Sequence, residues 1–313
     1  MNQDWLMGIA SHQGTIKEKN EDSFLYLVES DGKGSEIALF VVADGMGGYD
    51  IGEFASRHAI NEIKNWWDKR ISKILKRKEP LARILREGER AIHQINKSLG
   101  VLANHKGKKM GTTLSLLVLY QGNYLILHVG DSRIYHLRNW EFGKKKSDSS
   151  SRNVTKNLTD VHLQTTAALK IEPELLKLTE DHSWVGRQVE NGLLDEESAR
   201  NHPKRNVLTQ CLGIEKEITP YTHEGIYDSN DLFLVCSDGF YSLFSNDEIK
   251  NMLMSLEKEY GNLQAVSDYL INFSNFAEAN DNITLMLIRN PYKPKNILQS
   301  KEGLFSFFKG RSS

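Results

Sequence analysis

Only two cysteines, Cys211 and Cys236, occur in 313 residues; they lie in unrelated contexts without metal-ligand spacing, so no disulfide framework or thiolate metal site is expected. Both are expected to be free thiols in a reducing compartment. No run of about 18 apolar residues is present, so no transmembrane segment is expected. The opening Met1-Asn2-Gln3-Asp4-Trp5 has neither a basic segment nor a following apolar stretch of signal-peptide length, which points to the cytoplasm. Charge of one sign is missing too: 40 basic residues against 41 acids leave no global field to recruit nucleic acid or a membrane surface. No internal repeat is visible. The 39% hydrophobic content is ordinary for a globular chain able to bury its own core.

What the chain does contain is a recurring local grammar. Leu39-Phe40-Val41-Val42-Ala43-Asp44-Gly45-Met46-Gly47-Gly48 is an apolar run that passes straight into a carboxylate and a glycine-rich turn. That is the signature of a buried strand delivering one acid to a sheet's end. Glycines at 45, 47 and 48 admit positive φ angles and close backbone approach. Leu232-Phe233-Leu234-Val235-Cys236-Ser237 leads likewise into Asp238-Gly239, and Leu125-Ile126-Leu127-His128-Val129-Gly130 into Asp131-Ser132-Arg133. Near the end the order inverts, with Asp281-Asn282 before Ile283-Thr284-Leu285-Met286-Leu287-Ile288. Any one aspartate alone reads as the start of a turn. The four together read as a metal site centred on Asp44, because gathered carboxylates raise one another's pKa unless a cation neutralises them. All-oxygen donors point to hard ions, Mg2+ or Mn2+, and to more than one of them.

Along the chain, strands are expected over 5–11 and 23–28, flanking a polar loop that carries Lys17 and the adjacent acids Glu21 and Asp22. Ile51, Ala55, Ala59, Ile63, Trp66 or Trp67, Ile71 and Ile74 keep helical spacing, and Pro80 opens a second helix with a stripe from Leu81 to Ile95. The basic residues from Lys64 to Lys78 interleave with the first stripe, which makes them a solvated face rather than a nucleic-acid patch. A loop over 107–111 precedes strands at 112–120 and 124–129, joined as a hairpin by Gln121-Gly122-Asn123, and a third strand at 134–137. A polar, serine-rich stretch at about 139–157 has too little apolar content to pack and reads as a mobile surface loop. Between 161 and 200 short helical patterns alternate with turns, Asp195 capping one of them; His182 and His202 read as surface or structural histidines. Strands near 218–227 and 231–237, helices near 246–256 and 262–278, and the strand 283–288 complete the body. The tail, 291–313, carries Leu304, Phe305, Phe307 and Phe308, which suit docking on the body, disorder or binding to a partner.

The succession Lys17-Glu18-Lys19-Asn20-Glu21-Asp22, Val42 to Gly48, Gly111-Thr112-Thr113, Gly130-Asp131-Ser132-Arg133, Ser237-Asp238-Gly239 and Asp281-Asn282 resembles the metal-dependent type-2C protein serine/threonine phosphatases, in their bacterial form, over residues 7–289. Leu178-Thr179-Glu180-Asp181-His182-Ser183 and His202 to Thr209 resemble the same bacterial group. The resemblance implies an α+β fold: a four-layer α-β-β-α sandwich of two antiparallel sheets flanked by helices, one domain over 1–290, with a flap at about 160–205 beside the cleft. It implies two catalytic ions, Mn2+ or Mg2+, bridged by Asp44. Asp238 and Asp281 would bind the first ion; the Gly45 carbonyl with Glu21 and Asp22, largely through water, would serve the second; Asp131 with Asp238 would hold a third, weaker ion. The activity implied is hydrolysis of phosphoserine and phosphothreonine in proteins by a metal-activated water, without a phospho-enzyme. The implied partners are phosphorylated proteins and an opposing bacterial serine/threonine kinase, and the implied state is a monomer.

Two positions depart from the family pattern. Lys17 stands where an arginine usually grips the substrate phosphate; it keeps the charge, and with it the expected catalytic and phosphate-binding role, but loses the planar two-pronged donor. Met46 stands where animal members carry a histidine proposed as general acid, and a thioether has no proton to give. A rival reading is a catalytically weak or inactive member that binds phosphoproteins as a regulator, which the complete set of acids argues against. A metal-dependent nuclease would share the acids but would want a basic groove.

Overall fold

Inward and outward residues alternate along the central strands, and in this chain both faces are apolar. The computed structural model describes residues 5–47, 51–140, 172–277 and 279–290. In chain order the described elements are β1 (Leu6–His12), β2 (Asp22–Ser30), β3 (Glu36–Met46), α1 (Ile51–Leu75), α2 (Pro80–Lys106), β4 (Gly111–Thr112), β5 (Leu114–Tyr120), β6 (Asn123–Val129), β7 (Arg133–Arg138), β8 (Glu174–Lys177), α3 (Trp184–Glu190), α4 (Glu196–Arg200), β9 (Tyr221–Ile226), β10 (Leu232–Cys236), α5 (Asp238–Tyr241), α6 (Asn246–Tyr260), α7 (Leu263–Phe276) and β11 (Ile283–Arg289). One sheet has the order β1-β11-β10-β7-β8; the other has the order β2-β3-β5-β6-β9, with β4 paired to β3. Every strand pairing is antiparallel.

Along β3, Leu39, Val41 and Ala43 pack with α1 and α2, through residues such as Ile63, Ile92 and Leu99. The alternate residues Ala38, Phe40 and Val42 face Phe233, Val235, Met286 and Ile288 of the other sheet. A third apolar layer joins Leu234, Leu285 and Leu287 to Leu253, Val266 and Leu270 of α6 and α7. The four layers expected from the sequence are therefore present, helices outside and two sheets within. A strand buried on both faces is apolar at most positions, which is why β3, β5, β10 and β11 read as nearly continuous runs. Each such side chain contributes about 1.5–3 kcal/mol by leaving water.

Local signals place the helix ends. Pro80 starts α2, and Gly107 ends it with φ 61°. Ser245 and Glu248 form a reciprocal capping box on α6, and the Asp195 carboxylate accepts the Ser198 N–H at 2.7 Å, the cap expected for α4. Some bounds moved. The second helix runs on past Ile95 to Lys106, the strand expected from 218 begins at Tyr221, and the loop expected up to 111 ends in β4, whose Gly111 and Thr112 pair with Met46 and Gly45. Asp238 opens the short helix α5 rather than a simple turn. The flap region is described from 172 onward; the loop at 139–157 lies outside the described residues from 141, and the tail at 291–313 lies outside them entirely. Among the described residues no helix is long and apolar enough to cross a membrane.

Candidate metal centre

The apolar layer between the sheets gives way at one end to carboxylates and hydroxyls. Asp22 stands directly opposite Asp44 across the β2–β3 pair. From the other sheet, Ser237 Oγ donates to Asp22 Oδ2 at 2.7 Å and accepts the Thr284 N–H at 2.9 Å. Asp238 follows Ser237, and Asp281 with Asn282 precedes β11. The Asn282 side chain accepts the Glu21 N–H at 2.8 Å and donates to the Lys19 carbonyl at 2.8 Å, tying the loop of Lys17 to the start of β11. Both sheets thus send acids to the same end.

A second hydroxyl network braces the other side. The Asp44 N–H donates to Thr113 Oγ1 at 2.8 Å, and Thr113 Oγ1 lies 2.8 Å from Ser132 Oγ. Ser115 Oγ lies 2.8 Å from His128 Nδ1, and His128 Nε2 lies 2.9 Å from the Gly130 carbonyl. A carbonyl only accepts, so Nε2 carries the proton and Nδ1 accepts the Ser115 hydroxyl. Burial pushes the His128 pKa down to about 3, which keeps the ring neutral. The network spans from Asp44 to the turn that carries Asp131. Sequence reasoning missed it, although polar residues inside the apolar runs of β5 and β6 were the signal.

The electrostatics are those of crowded like charge. Asp44 is held well above the usual carboxylate range by burial and then by the charges of Asp22, Asp238, Asp131 and Asp281. Burial pushes Asp22 up to about 7 despite hydrogen bonds from Ser237 and Thr284, with Asp238 and Asp281 adding to the rise. Burial and then Asp281 push Asp238 up to about 6, and Asp131 is raised by burial, Asp238 and Asp181. Glu21 is raised by burial, against the pull of Lys17 and of the Gly52 N–H. The Lys17 ammonium lies 2.8 Å from Asp281; burial opposes its charge, but this bond and the acid field raise its pKa.

Oδ1 of Asp22 and Oδ1 of Asp238 are buried without a hydrogen-bond partner. Among the described residues no three histidine, cysteine, aspartate or glutamate side chains already form a closed metal cage. A crowded, all-oxygen and partly unpartnered donor set fits hard divalent cations that keep part of their water shell.

Gly45 meets the expectation of close backbone approach but not that of a positive φ. Its φ is not positive; the need for glycine is closeness, since an added Cβ would sit 2.0 Å from the Gly52 carbonyl oxygen and 2.7 Å from that of Glu21. Gly47 does take a glycine φ, 146°, and Gly48 lies outside the described residues. Beside the acids, Arg133 grips Asp181 with contacts of 2.6 and 3.1 Å. His182 exchanges bonds with Gly130 through its N–H at 2.7 Å and its Nδ1 at 3.1 Å, a structural role as expected. His202 stacks on Trp184 at 4.8 Å.

The family model for protein phosphatase 2C matches residues 11–283. This chain belongs to that family. Among related protein phosphatase 2C chains, the serine/threonine phosphatase stp of Listeria monocytogenes is 29% identical over 285 residues, covering 90% of this chain and 95% of that protein. The solved serine/threonine phosphatase of S. agalactiae superposes with a TM-score of 0.71 at 24% identity, over 92% of this chain and all of that one. The catalytic domain of the phosphatase PstP, solved with 2 manganese ions, gives a TM-score of 0.63 at 22% identity, over 91% of this chain and 99% of that one.

The acid cluster of this protein phosphatase 2C chain carries a pH prediction. A carboxyl group whose folded pKa is raised binds a proton that the unfolded chain has already released. Its stabilising contribution is therefore complete below the ordinary value near 3.8 and is lost as pH rises through the folded values of about 6 and 7. Chelator-treated protein is expected to melt at a higher temperature at about pH 5 than at about pH 8, and Mn2+ to raise the melting temperature far more at the higher pH. Melting of the metal-free protein that improves as pH rises across this window would contradict the reading.

Proposed function

We propose that this chain hydrolyses phosphoserine and phosphothreonine in proteins, using two divalent ions, Mn2+ or Mg2+, held by the acid cluster. The observation that carries the reading is the meeting of Asp22, Asp44, Asp131 and Asp238 at one end of both sheets, each held back from ionising first by burial and then by neighbouring carboxylates. Asp44 would bridge the ions, with Asp238 and Asp281 on one and the Gly45 carbonyl, Glu21 and Asp22 on the other; Asp131 with Asp238 would take a third. When bound, the ions supply Lewis acidity toward the phosphoryl oxygens and a lowered pKa for the attacking water.

The protein's own groups do the rest. The two hydroxyl networks anchor the Asp22 carboxylate through Ser237 and the Asp44 backbone N–H through Thr113, which reduces reorganisation as charge develops. Lys17, half-exposed and anchored on Asp281, meets the substrate phosphate as a point charge. Met46 contributes no proton, so the leaving oxygen takes its proton from elsewhere in the cleft. One phosphatase domain over 1–290, a cytoplasmic monomer opposed to a serine/threonine kinase, is the setting this chemistry suits.

The test is phosphate release from a phosphothreonine peptide with and without Mn2+, for wild type and Asp238→Asn side by side. Release that requires Mn2+ and disappears in the variant is expected; no release by metal-loaded wild type would favour a phosphoprotein-binding role. For Lys17→Ala, KM for the peptide is expected to rise about 10-fold, with Lys17→Arg restoring or improving on wild type. An unchanged KM and kcat in Lys17→Ala would remove Lys17 from phosphate binding.

A further inference from the structure

The flap side of the cleft carries two arginines that no described residue has claimed. Arg200 ends α4, and Arg205 follows in the turn after it. Among the described residues neither guanidinium makes a hydrogen bond or an ion pair; Arg200 acts on Glu248 only through its field. Glu248 is itself occupied, accepting the Ser245 N–H at 2.7 Å and its hydroxyl at 2.8 Å. Arg133, the other arginine of this wall, is committed to Asp181 and the Tyr135 hydroxyl.

Both arginines line two cavities that meet at Asp238. One, about 70 Å³, lies between the flap and Asp131; the other is an open groove of about 770 Å³ that runs past Arg200, Arg205 and Asn206 to Asp238 and Asp281. Glu197 and Glu248 also line the groove. Once the aspartates at its end carry cations, Glu197 and Glu248 are the acids left in the groove, and the two guanidiniums are its charged donors. A volume of this size exceeds what a phosphoserine side chain fills and suits several residues of an extended peptide.

We infer that Arg200 and Arg205 form a recognition site for a second anionic group on the substrate, a carboxylate or a further phosphate placed a few residues from the phosphoserine under attack. The inference rests on the phosphatase reading above and adds to it a substrate class, phosphoproteins with acidic flanks. Guanidinium forks suit both anions, and a pair of this kind is expected to discriminate by roughly 10-fold.

The test uses the Mn2+-loaded full chain and four phosphothreonine peptides whose flanks are neutral, glutamate-rich, lysine-rich or doubly phosphorylated, with p-nitrophenyl phosphate in parallel. Wild type is expected to prefer the acidic or doubly phosphorylated peptide over the neutral one by about 10-fold in kcat/KM, expressed in KM, with the lysine-rich peptide last. In Arg200→Ser/Arg205→Ser the ratio of acidic to neutral is expected to fall to about 1, and in Arg205→Glu the lysine-rich peptide should gain. Whichever of the glutamate and phosphate arms gains more identifies the source of the anion. Equal kcat/KM for all peptides in wild type would overturn the inference, as would variants that slow every substrate in the same proportion, since the arginines would then act on the reacting phosphate or on folding. Failure of wild type to hydrolyse even p-nitrophenyl phosphate would overturn the phosphatase reading itself, and this inference with it.

Discussion

Asp44→Asn is expected to abolish metal-dependent phosphate release while making the metal-free protein more stable. The two effects share one cause. Asp44 stands partly buried opposite Asp22, within the field of Asp238, Asp131 and Asp281, and without a cation its charge is a cost to the fold. Asparagine has nearly the same shape and leaves the Asp44 backbone bond to Thr113 Oγ1 in place. Removing one of several repelling charges stabilises by about 1 kcal/mol, or roughly 2–4 °C in melting temperature. The same change removes the carboxylate expected to bridge the ions, and activity should fall by about 100-fold or more. Phosphate release and melting curves with and without Mn2+ measure both effects. A variant that keeps more than about a tenth of the activity would remove Asp44 from the centre of the site.

The second large effect lies away from the acids. Arg289 and Glu257 form an ion pair between the end of β11 and α6, both side chains almost fully buried. Trp140 Nε1 donates to the other Glu257 oxygen at 2.6 Å. β11 begins beside the acid cluster at Ile283 and ends at Arg289, a strand length of about 20 Å away. Glu257→Gln keeps an acceptor for Trp140 but removes the carboxylate that Arg289 pairs with between β11 and α6. That should cost about 3–5 kcal/mol, a large share of the stability of a domain this size. Replacing both partners with apolar residues should restore most of it. Urea unfolding of Glu257→Gln and of Glu257→Leu/Arg289→Met checks the pair. A single variant within about 1 kcal/mol of wild type would show that the charges are solvated rather than paired.

Different residues were legible in the sequence to different degrees. Asp44, Asp131, Asp238 and Asp281 were visible because each stands where an apolar run starts or stops, a local signal. Lys17, Glu21 and Asp22 sit in a polar loop with no such contrast, and only the ordered resemblance gave them roles. The hydroxyls of Ser11, Thr113, Ser115, Ser132 and Ser237 passed as ordinary strand or turn residues. Their meaning depends on the face they occupy at the end of the apolar layer, where Ser11 Oγ lies 2.8 Å from Thr284 Oγ1. Arg200 and Arg205 stood among several arginines and lysines with nothing local to separate them.

The sequence by itself determined the order of strands and helices, their caps, the four strand-end acids and the absence of a long apolar span, because periodicity and turn chemistry act over a few residues. Only the tertiary structure decided which strands became neighbours. That choice set Asp22 against Asp44, brought Ser237 onto Asp22 across 215 residues of chain and Asn282 onto Glu21 across 261, and placed Arg200 and Arg205 along one groove with Asp238. These contacts arise when burying both faces of two sheets selects one register, and no short window of sequence contains that constraint.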